Sequence, residues 1–114
     1  MLIVEDEPLV ALMLEDYVEE MGCRFAVTTG STAPALETIE NMEPDFVILD
    51  VLMKDEEPDF TIADELAARH IPFIFCSGHH RNILPDRHRS TPFISKPFGD
   101  DELVSALRQC RLRK

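Results

Sequence analysis

The sequence predicts an α/β fold, a doubly wound three-layer sandwich in which helices cover both faces of a five-stranded parallel sheet. Short apolar runs alternate along the chain with longer stretches whose apolar residues repeat at helical spacing, in the order β-α-β-α-β-α-β-α-β-α. The apolar runs are continuous, which is typical of parallel strands that are buried on both faces. With 114 residues, the chain is expected to form one domain, 1–114.

The first half of the chain contains three expected strands, 2–4, 24–28 and 46–50. After the first strand, apolar residues at helical spacing predict one face of a helix that Gly22 ends. Ser31 or Thr32 is expected to cap a second helix. The inward residues are expected to be Val10, Met13, Leu14, Tyr17, Val18 and Met21 in the first helix, and Leu36, Ile39 and Met42 in the second.

The second half predicts two further strands, 72–77 and 92–96, and three helices around them. Ile62, Ala63, Leu66 and Ala67 repeat at helical spacing and indicate the third helix. Pro85 interrupts the segment 79–90, so the fourth helix is expected to be short or irregular. The last helix should begin near Gly99 and Asp100, with its inward residues at Leu103, Ala106, Leu107 and Cys110.

The formal net charge is −11, and it is unevenly distributed. Residues 1–68 carry 18 acids and two basic residues, whereas residues 69–114 carry nine Lys or Arg and four acids. A domain this acidic is a poor general binder of nucleic acid, because it repels phosphates. The basic second part could dock an acidic partner, and solvated surface explains it as well.

The composition also predicts where the protein acts. No apolar stretch approaches the roughly 20 residues of a membrane span, and the acids at residue 5 leave no basic start for a signal peptide. Cys23, Cys76 and Cys110 are odd in number and far apart, which is typical of a reducing compartment and of buried apolar side chains. The expected location is the cytoplasm, without membrane contact.

Polar residues end four of the five expected strands: Glu5 and Asp6, Asp50, Ser77 and Lys96. The carboxyl ends of parallel strands meet at one edge of a sheet, where sites of this architecture are built. Converging carboxylates suit Mg²⁺, which takes about six oxygen ligands. A lysine there can hold a phosphoryl oxygen, and Asp50 can be the nucleophile that takes a phosphoryl group. Taken singly, each of these residues suits a solvated loop, a cap or a turn equally well.

The chain resembles the response regulator receiver domain of two-component signalling in four motifs, LIVEDEP, FVILDVLM, FCSGH and ISKPF. The resemblance covers the whole chain and implies the flavodoxin-like (βα)5 fold. FCSGH is also similar to the Phe-Ala-Thr-Gly-Tyr signature of an alphaproteobacterial group of single-domain receivers. Lys54 in place of a proline, and the acidic residues 55–57, depart from the family pattern and alter its usual switch surface.

The resemblance implies a role for each residue at the strand ends. Asp50 would be phosphorylated, and Ser77 and Lys96 would contact the phosphoryl oxygens. The Mg²⁺ ligands would be Asp6 and Asp50 directly, Glu5 mostly through water, and the backbone carbonyl of Leu52.

Residues around this centre are also assigned by the resemblance. Ser77 would shift on phosphorylation together with Phe93, at the position of an aromatic switch, although a simple core phenylalanine explains Phe93 equally well. Gly78 would leave room for the phosphoryl group, and His79, with His80, would tune the access of water. A metal site at the two histidines is disfavoured, because no Cys or acid lies at a ligand spacing.

The expected function is that of a phosphoacceptor protein rather than an enzyme, with at most self-catalysed phosphotransfer and autodephosphorylation. A histidine kinase or histidine phosphotransfer protein would phosphorylate Asp50. No output domain is expected within 1–114, so the output would be a contact with a downstream protein or a second copy of the chain, a phosphoryl relay, or draining of a kinase.

Two alternatives remain at this point. The first is a degenerate receiver that only binds a partner. The three acids argue against it, because such a domain has no need to gather them. A phosphatase of the haloacid dehalogenase type requires a second Asp two residues after its nucleophile, where this chain has Leu52, and it carries its acidic pair last rather than first.

Overall fold

A computed structural model describes residues 1–20, 22, 27–50, 60–78, 81–96 and 99–112. These residues contain a five-stranded parallel sheet of order β2-β1-β3-β4-β5, which confirms the predicted flavodoxin-like fold. The strands are β1 (Leu2–Val4), β2 (Val27–Thr29), β3 (Val47–Leu49), β4 (Phe73–Ser77) and β5 (Phe93–Ser95). The helices are α1 (Pro8–Glu20), α2 (Thr32–Met42), α3 (Thr61–Ala68) and α4 (Asp100–Leu112).

The helices cover both faces of the sheet, and each face has its own apolar cluster. On one face, side chains such as Val4, Leu49 and Phe75 pack with Ile39 of α2 and Leu66 of α3. On the other face, Ile3, Ile48 and Ile74 pack with Leu14 of α1 and Leu103 of α4. Strands β1, β3 and β4 are buried throughout, as the continuous apolar runs predict.

The segment between β4 and β5 has no α-helix among its described residues. It contains two short 3₁₀ helices, Arg81–Ile83 and Asp86–His88, and Pro85 lies in extended conformation just before the second. Leu84 and His88 are buried and attach the segment to the core. The expectation of a short or irregular fourth helix is therefore confirmed, because proline cannot continue a regular helix here.

Some expected details are wrong. Met13 is 43% exposed and Met42 is 52% exposed. The stripe of α1 that faces the sheet is narrow and passes through Ala11, Leu14 and Val18, which leaves Met13 beside it. Met42 is the last residue of α2 and borders an open cavity of about 240 Å³.

The expected boundary residues Gly22 and Ser31 lie at helix ends, although Ser31 lacks the expected capping bond. Helix α1 begins at Pro8, where proline is favoured because the first helical N–H has no partner within the helix. Ser31 occupies the N-cap position of α2, but its side chain makes no capping hydrogen bond. Gly22 follows α1 with φ of 98°, as a glycine beyond a helix end allows.

Other expectations lie outside the described residues: those on Met21, on residues 24–26, and on the side chains of Leu107 and Cys110. The described helices include none with the length and apolar character needed to cross a membrane.

Candidate functional site

The acidic part of the candidate site is built by the carboxyl ends of β1 and β3. These strands pair in register, Val4 with Leu49, so the residues that follow them lie side by side. Glu5 donates its N–H to the carbonyl of Thr29, and Asp50 donates its N–H to the carbonyl of Val4, at 2.9 and 3.0 Å. Glu5, Asp6 and Asp50 each offer a carboxylate oxygen, and these oxygens lie within 4.8 Å of one another.

Lys96 reaches this acidic group from the end of the edge strand β5. It follows β5, where its N–H donates to the carbonyl of Ser77 at 2.8 Å. Its Nζ donates to Asp50 Oδ2 at 2.9 Å and forms an ion pair with Oε1 of Glu5. Because β4 lies between β3 and β5, the Lys96 side chain crosses the end of β4. Its ammonium group contacts the residues that follow β1 and β3. Ser77 lies at the carboxyl end of β4, between these strand ends, and is fully buried.

The electrostatics of the site follow from two carboxylates that share one ammonium group. Burial raises the pKa of Glu5, and the hydrogen bond from Lys96 only partly offsets it, since the charge of Asp50 acts in the same direction as burial. Burial by itself lowers the pKa of Lys96, but contacts with Glu5 and Asp50 outweigh it, so this pKa is raised. The site therefore contains three carboxylates around one ammonium group, and the raised pKa of Lys96 keeps that group protonated.

The residues present fit a magnesium ion. Asp6 Oδ2 is buried and has no hydrogen-bond partner among the described residues, which is rare and costly for a carboxylate oxygen. Both oxygens of Glu5 are engaged, Oε1 by Lys96 and Oε2 by the N–H of Glu7 at 3.2 Å. A hard cation with oxygen ligands would satisfy Asp6 and balance the excess charge. Asp6 is thus better placed to ligate a cation directly than Glu5.

Of the remaining predicted residues, two are described. Gly78 follows β4 and is exposed, and a side chain there would begin in open space, because no atom of the described residues other than its chain neighbours lies within 4 Å of that position. Phe93 is half-buried in β5, and its ring centroid lies 6.3 Å from that of Phe75. The Leu52 carbonyl, His79, His80, Lys54 and the acidic residues 55–57 lie outside the described residues.

The sequence interpretation missed two features of this edge. The first is Thr29, which ends β2 and has a buried hydroxyl without a hydrogen-bond partner in the described part of the chain. The expected strand 24–28 ends one residue before the observed end of β2, so Thr29 is not among the predicted polar strand ends. The second is the contact between Lys96 and Glu5, which no single motif indicates.

The free thiol of Cys76 lies one residue before Ser77 but is a poor nucleophile. Burial raises its pKa to about 12, and the charges of Glu5 and Asp50 contribute in the same direction. Because only the thiolate is an effective nucleophile, Cys76 is a buried apolar side chain, as the sequence predicts.

A family model described as the response regulator receiver domain matches residues 1–108. Among solved structures, SdrG from Sphingomonas melonis Fr1 is 40% identical with a TM-score of 0.85, over 96% of this chain and 93% of that one. The BeF3-activated conformation of SdrG from Pseudomonas melonis Fr1 is 42% identical with a TM-score of 0.77, over 94% and 91%.

Among curated proteins, the transcriptional regulatory protein PdtaR of Mycobacterium tuberculosis is 30% identical over 109 residues, or 93% of this chain and 53% of PdtaR. The chain thus spans about half the length of the curated relatives it matches.

Proposed function

The chain belongs to the response regulator receiver domain family, and we propose that it is a phosphoacceptor protein of a two-component phosphorelay in which Asp50 is phosphorylated. The observation that carries the proposal is the contact of Lys96 Nζ with Asp50 Oδ2, at 2.9 Å, inside a group of three carboxylates. A nucleophilic carboxylate, a fixed cation and spare carboxylates for Mg²⁺ are what phosphoryl transfer to an aspartate requires.

In the proposed reaction, an oxygen of the Asp50 carboxylate attacks the phosphorus of a phosphohistidine. The phosphorus–nitrogen bond breaks, its electron pair stays on the imidazole nitrogen, and that nitrogen takes up a proton. The product is an acyl phosphate on Asp50. Lys96 would offset the charge of the phosphoryl oxygens, and the hydroxyl of Ser77 would donate a hydrogen bond to one of them.

The proposed cofactor is Mg²⁺, held by Asp6 and Asp50, by Glu5 mostly through water, and by the backbone carbonyl of Leu52. When bound there, it would add positive charge beside the transferred group. The support for this assignment is the buried Asp6 oxygen without a partner and the oxygen-only donor set.

The protein would then be a signalling phosphoacceptor rather than an enzyme, with at most self-catalysed phosphotransfer and autodephosphorylation. Gly78 is proposed to leave room for the phosphoryl group, and His79 is proposed to tune the access of water to the acyl phosphate and hence its lifetime. The open space beside Gly78 supports the first of these roles. The alternative hypothesis of a degenerate receiver is disfavoured, because a domain that only binds a partner would not need Lys96 and three acids together.

The proposed phosphoryl donor is a histidine kinase or a histidine phosphotransfer protein. It must bring its histidine to Asp50, so it must cover the edge of the sheet at which α1 begins. Three apolar side chains at the start of α1 are exposed, Leu9 by 77%, Leu12 by 55% and Met13 by 43%. We define these three residues as the α1 patch. Exposed apolar groups of this kind mark protein contacts, and the α1 patch would pack against the donor.

Output is proposed to be a phosphorylation-dependent contact with a downstream protein or a second copy of the chain, rather than direct binding of nucleic acid. Ser77 and Phe93 are the proposed switch residues, since the carbonyl of Ser77 accepts the backbone N–H of Lys96 and Phe93 lies on the strand that Lys96 follows. The proposed location is the cytoplasm, where a phosphorelay and a free Cys76 thiol are both expected.

Labelling with acetyl phosphate and Mg²⁺, read by intact mass, tests the acceptor. The wild type should gain the mass of one phosphoryl group, and Asp50→Asn should gain none. Asp45→Asn is the matched control, because the side chain of Asp45 is 88% exposed and pairs with the N-terminus, outside the candidate site. Labelling that persists in Asp50→Asn would exclude Asp50 as the acceptor.

A further inference from the structure

A cluster of polar side chains ties the segment between β4 and β5 to α3, and the proposed phosphotransfer does not use it. His88 is 3% exposed, and its Nε2 lies 2.7 Å from Oδ1 of Asp64 on α3. Arg87 donates to both oxygens of the same carboxylate, from Nε at 2.8 Å and from Nη2 at 3.0 Å. We call Asp64, Arg87 and His88 the latch, because one carboxylate holds two consecutive residues of the segment.

Three phenyl rings surround the imidazole of His88. Phe60 stacks on it with ring centroids 6.1 Å apart, and Phe73 and Phe75 meet it edge-on at 6.0 and 5.9 Å. A polar ring in apolar surroundings depends on its hydrogen bond, here to Asp64. His88 therefore cannot leave this position without breaking the latch and repacking the phenyl rings.

Phe75 connects the latch to the candidate site. It is fully buried in β4, two residues before Ser77, and it pairs in register with Phe93 of β5. Strand β5 is an edge strand of three residues and is followed directly by Lys96. A continuous series of contacts therefore runs from Phe93, on the strand that Lys96 follows, to the surface of α3. Its members are Phe93, Phe75, His88 and Asp64.

We propose that the latch stabilises the arrangement in which Lys96 contacts the unphosphorylated Asp50 carboxylate, so that the latch opposes phosphorylation of Asp50 and opens when Asp50 is phosphorylated. This inference rests on the proposed function. Phosphorylation of Asp50 presents new oxygens to Lys96. Because Lys96 directly follows β5, which is short and lies at the edge of the sheet, β5 shifts when Lys96 moves. Because the aromatic rings are closely packed, a shift of Phe93 requires Phe75 and His88 to repack. By linkage, contacts that phosphorylation weakens must themselves weaken phosphorylation.

Beryllofluoride binding in the presence of Mg²⁺ measures this coupling as an equilibrium. Asp64→Asn keeps the size of the side chain and removes the charge that holds Arg87 and His88. We expect its apparent affinity for beryllofluoride to be about fivefold tighter than that of the wild type, while its melting temperature falls. A merely structural role would lower the melting temperature and leave the affinity unchanged or weaker.

Glu65→Gln is the matched control. Glu65 is the next residue on α3 and also pairs with an arginine, but that partner is Arg69, four residues later on the same stretch of chain, at 2.7 Å. The Glu65 variant should bind beryllofluoride like the wild type. Equal tightening in the Glu65 and Asp64 variants would overturn the latch, because it would reflect general loosening of α3.

His88→Phe is the second test, because it keeps a ring among the phenyl groups and removes the bond to Asp64. It should tighten binding as Asp64→Asn does, and the double variant should add little, as expected for two residues that act together. Unchanged affinity in both single variants would overturn the latch alone, if acetyl phosphate still labels Asp50. A wild type that takes neither acetyl phosphate nor beryllofluoride would overturn the proposed function and the latch with it.

Discussion

Lys96 Nζ lies 2.9 Å from Asp50 Oδ2, although the two residues are 46 positions apart in the sequence. The parallel sheet explains the contact, because β3 and β5 end at the same edge with only β4 between them. The same amine contacts Glu5, so one cation that is 17% exposed faces two carboxylate side chains that are 1% and 5% exposed. We therefore expect the stability of the folded protein to depend on Lys96.

Replacing Lys96 with Ala should destabilise the protein and weaken its response to phosphorylation. Glu5 and Asp50 would remain buried without their cation, which should lower the free energy of unfolding by about 2–4 kcal/mol. Mg²⁺ should still bind and recover part of the loss, because it replaces the missing positive charge. Urea unfolding with and without Mg²⁺ measures both effects, and beryllofluoride binding, expected to weaken, measures the response.

Lys96→Arg serves as the control for charge. It should retain more stability than Lys96→Ala, because a guanidinium still faces the acids, although its shape differs from that of an ammonium group. An Ala variant as stable as the wild type would show that Lys96 does not neutralise the buried acids.

Mg²⁺ should raise the melting temperature of the wild type, because a ligand that binds only the folded form stabilises it. At a concentration of about 100 times the Kd, the expected stabilisation is about 2.7 kcal/mol. Asp6→Asn should lose most of this gain, since Asp6 Oδ2 is the buried oxygen without a partner among the described residues. Asp16→Asn, an exposed acid on α1, should respond to Mg²⁺ like the wild type. Equal responses of the two variants would place the ion elsewhere.

The α1 patch should matter for a protein donor and not for a small one. Leu9→Glu places a charge at the most exposed large hydrophobic side chain of the described residues, and phosphotransfer from a histidine kinase or phosphotransfer protein should slow by about tenfold or more. Labelling by acetyl phosphate should not change. Met42→Glu is the control, because Met42 is also exposed but lines the cavity beside Met1 and Pro44. Slower labelling by acetyl phosphate in Leu9→Glu would instead indicate damage to the site.

The fold and the strand ends could be predicted because both follow from local sequence. A continuous apolar run that stops at Asp50 or Ser77 marks the end of a buried strand and the position of its polar residue together. The exposure of Met13 could not be predicted, because helical spacing identifies an apolar face but not how much of it the neighbouring elements cover. The burial of His88 depends on Phe60 and Asp64, which are distant in sequence, so no local pattern indicates it.

Acidification should destabilise the protein partly through Asp64, away from the candidate site. The hydrogen bond from Arg87 holds the pKa of Asp64 below its ordinary value of 3.8, with a further contribution from His88. For an acid with a lowered pKa in the folded state, the stabilisation is complete above about pH 3.8 and is lost as the pH falls toward the folded value. Asp64→Asn should therefore unfold with a shallower dependence on pH in this range.

The effect of Asp64 should be modest, because its side chain is 46% exposed and solvent screens the pair with Arg87. Urea midpoints measured between pH 5 and pH 2.5 would detect it as a smaller decline in Asp64→Asn than in the wild type. Asp86→Asn provides the control on the other side of the latch, because the Asp86 side chain is 99% exposed and its ion pair, with Arg89 at 3.1 Å, lies three residues away in the sequence. Its decline should match that of the wild type, and a slope in Asp64→Asn as steep as the wild-type slope would remove Asp64 from the acid response.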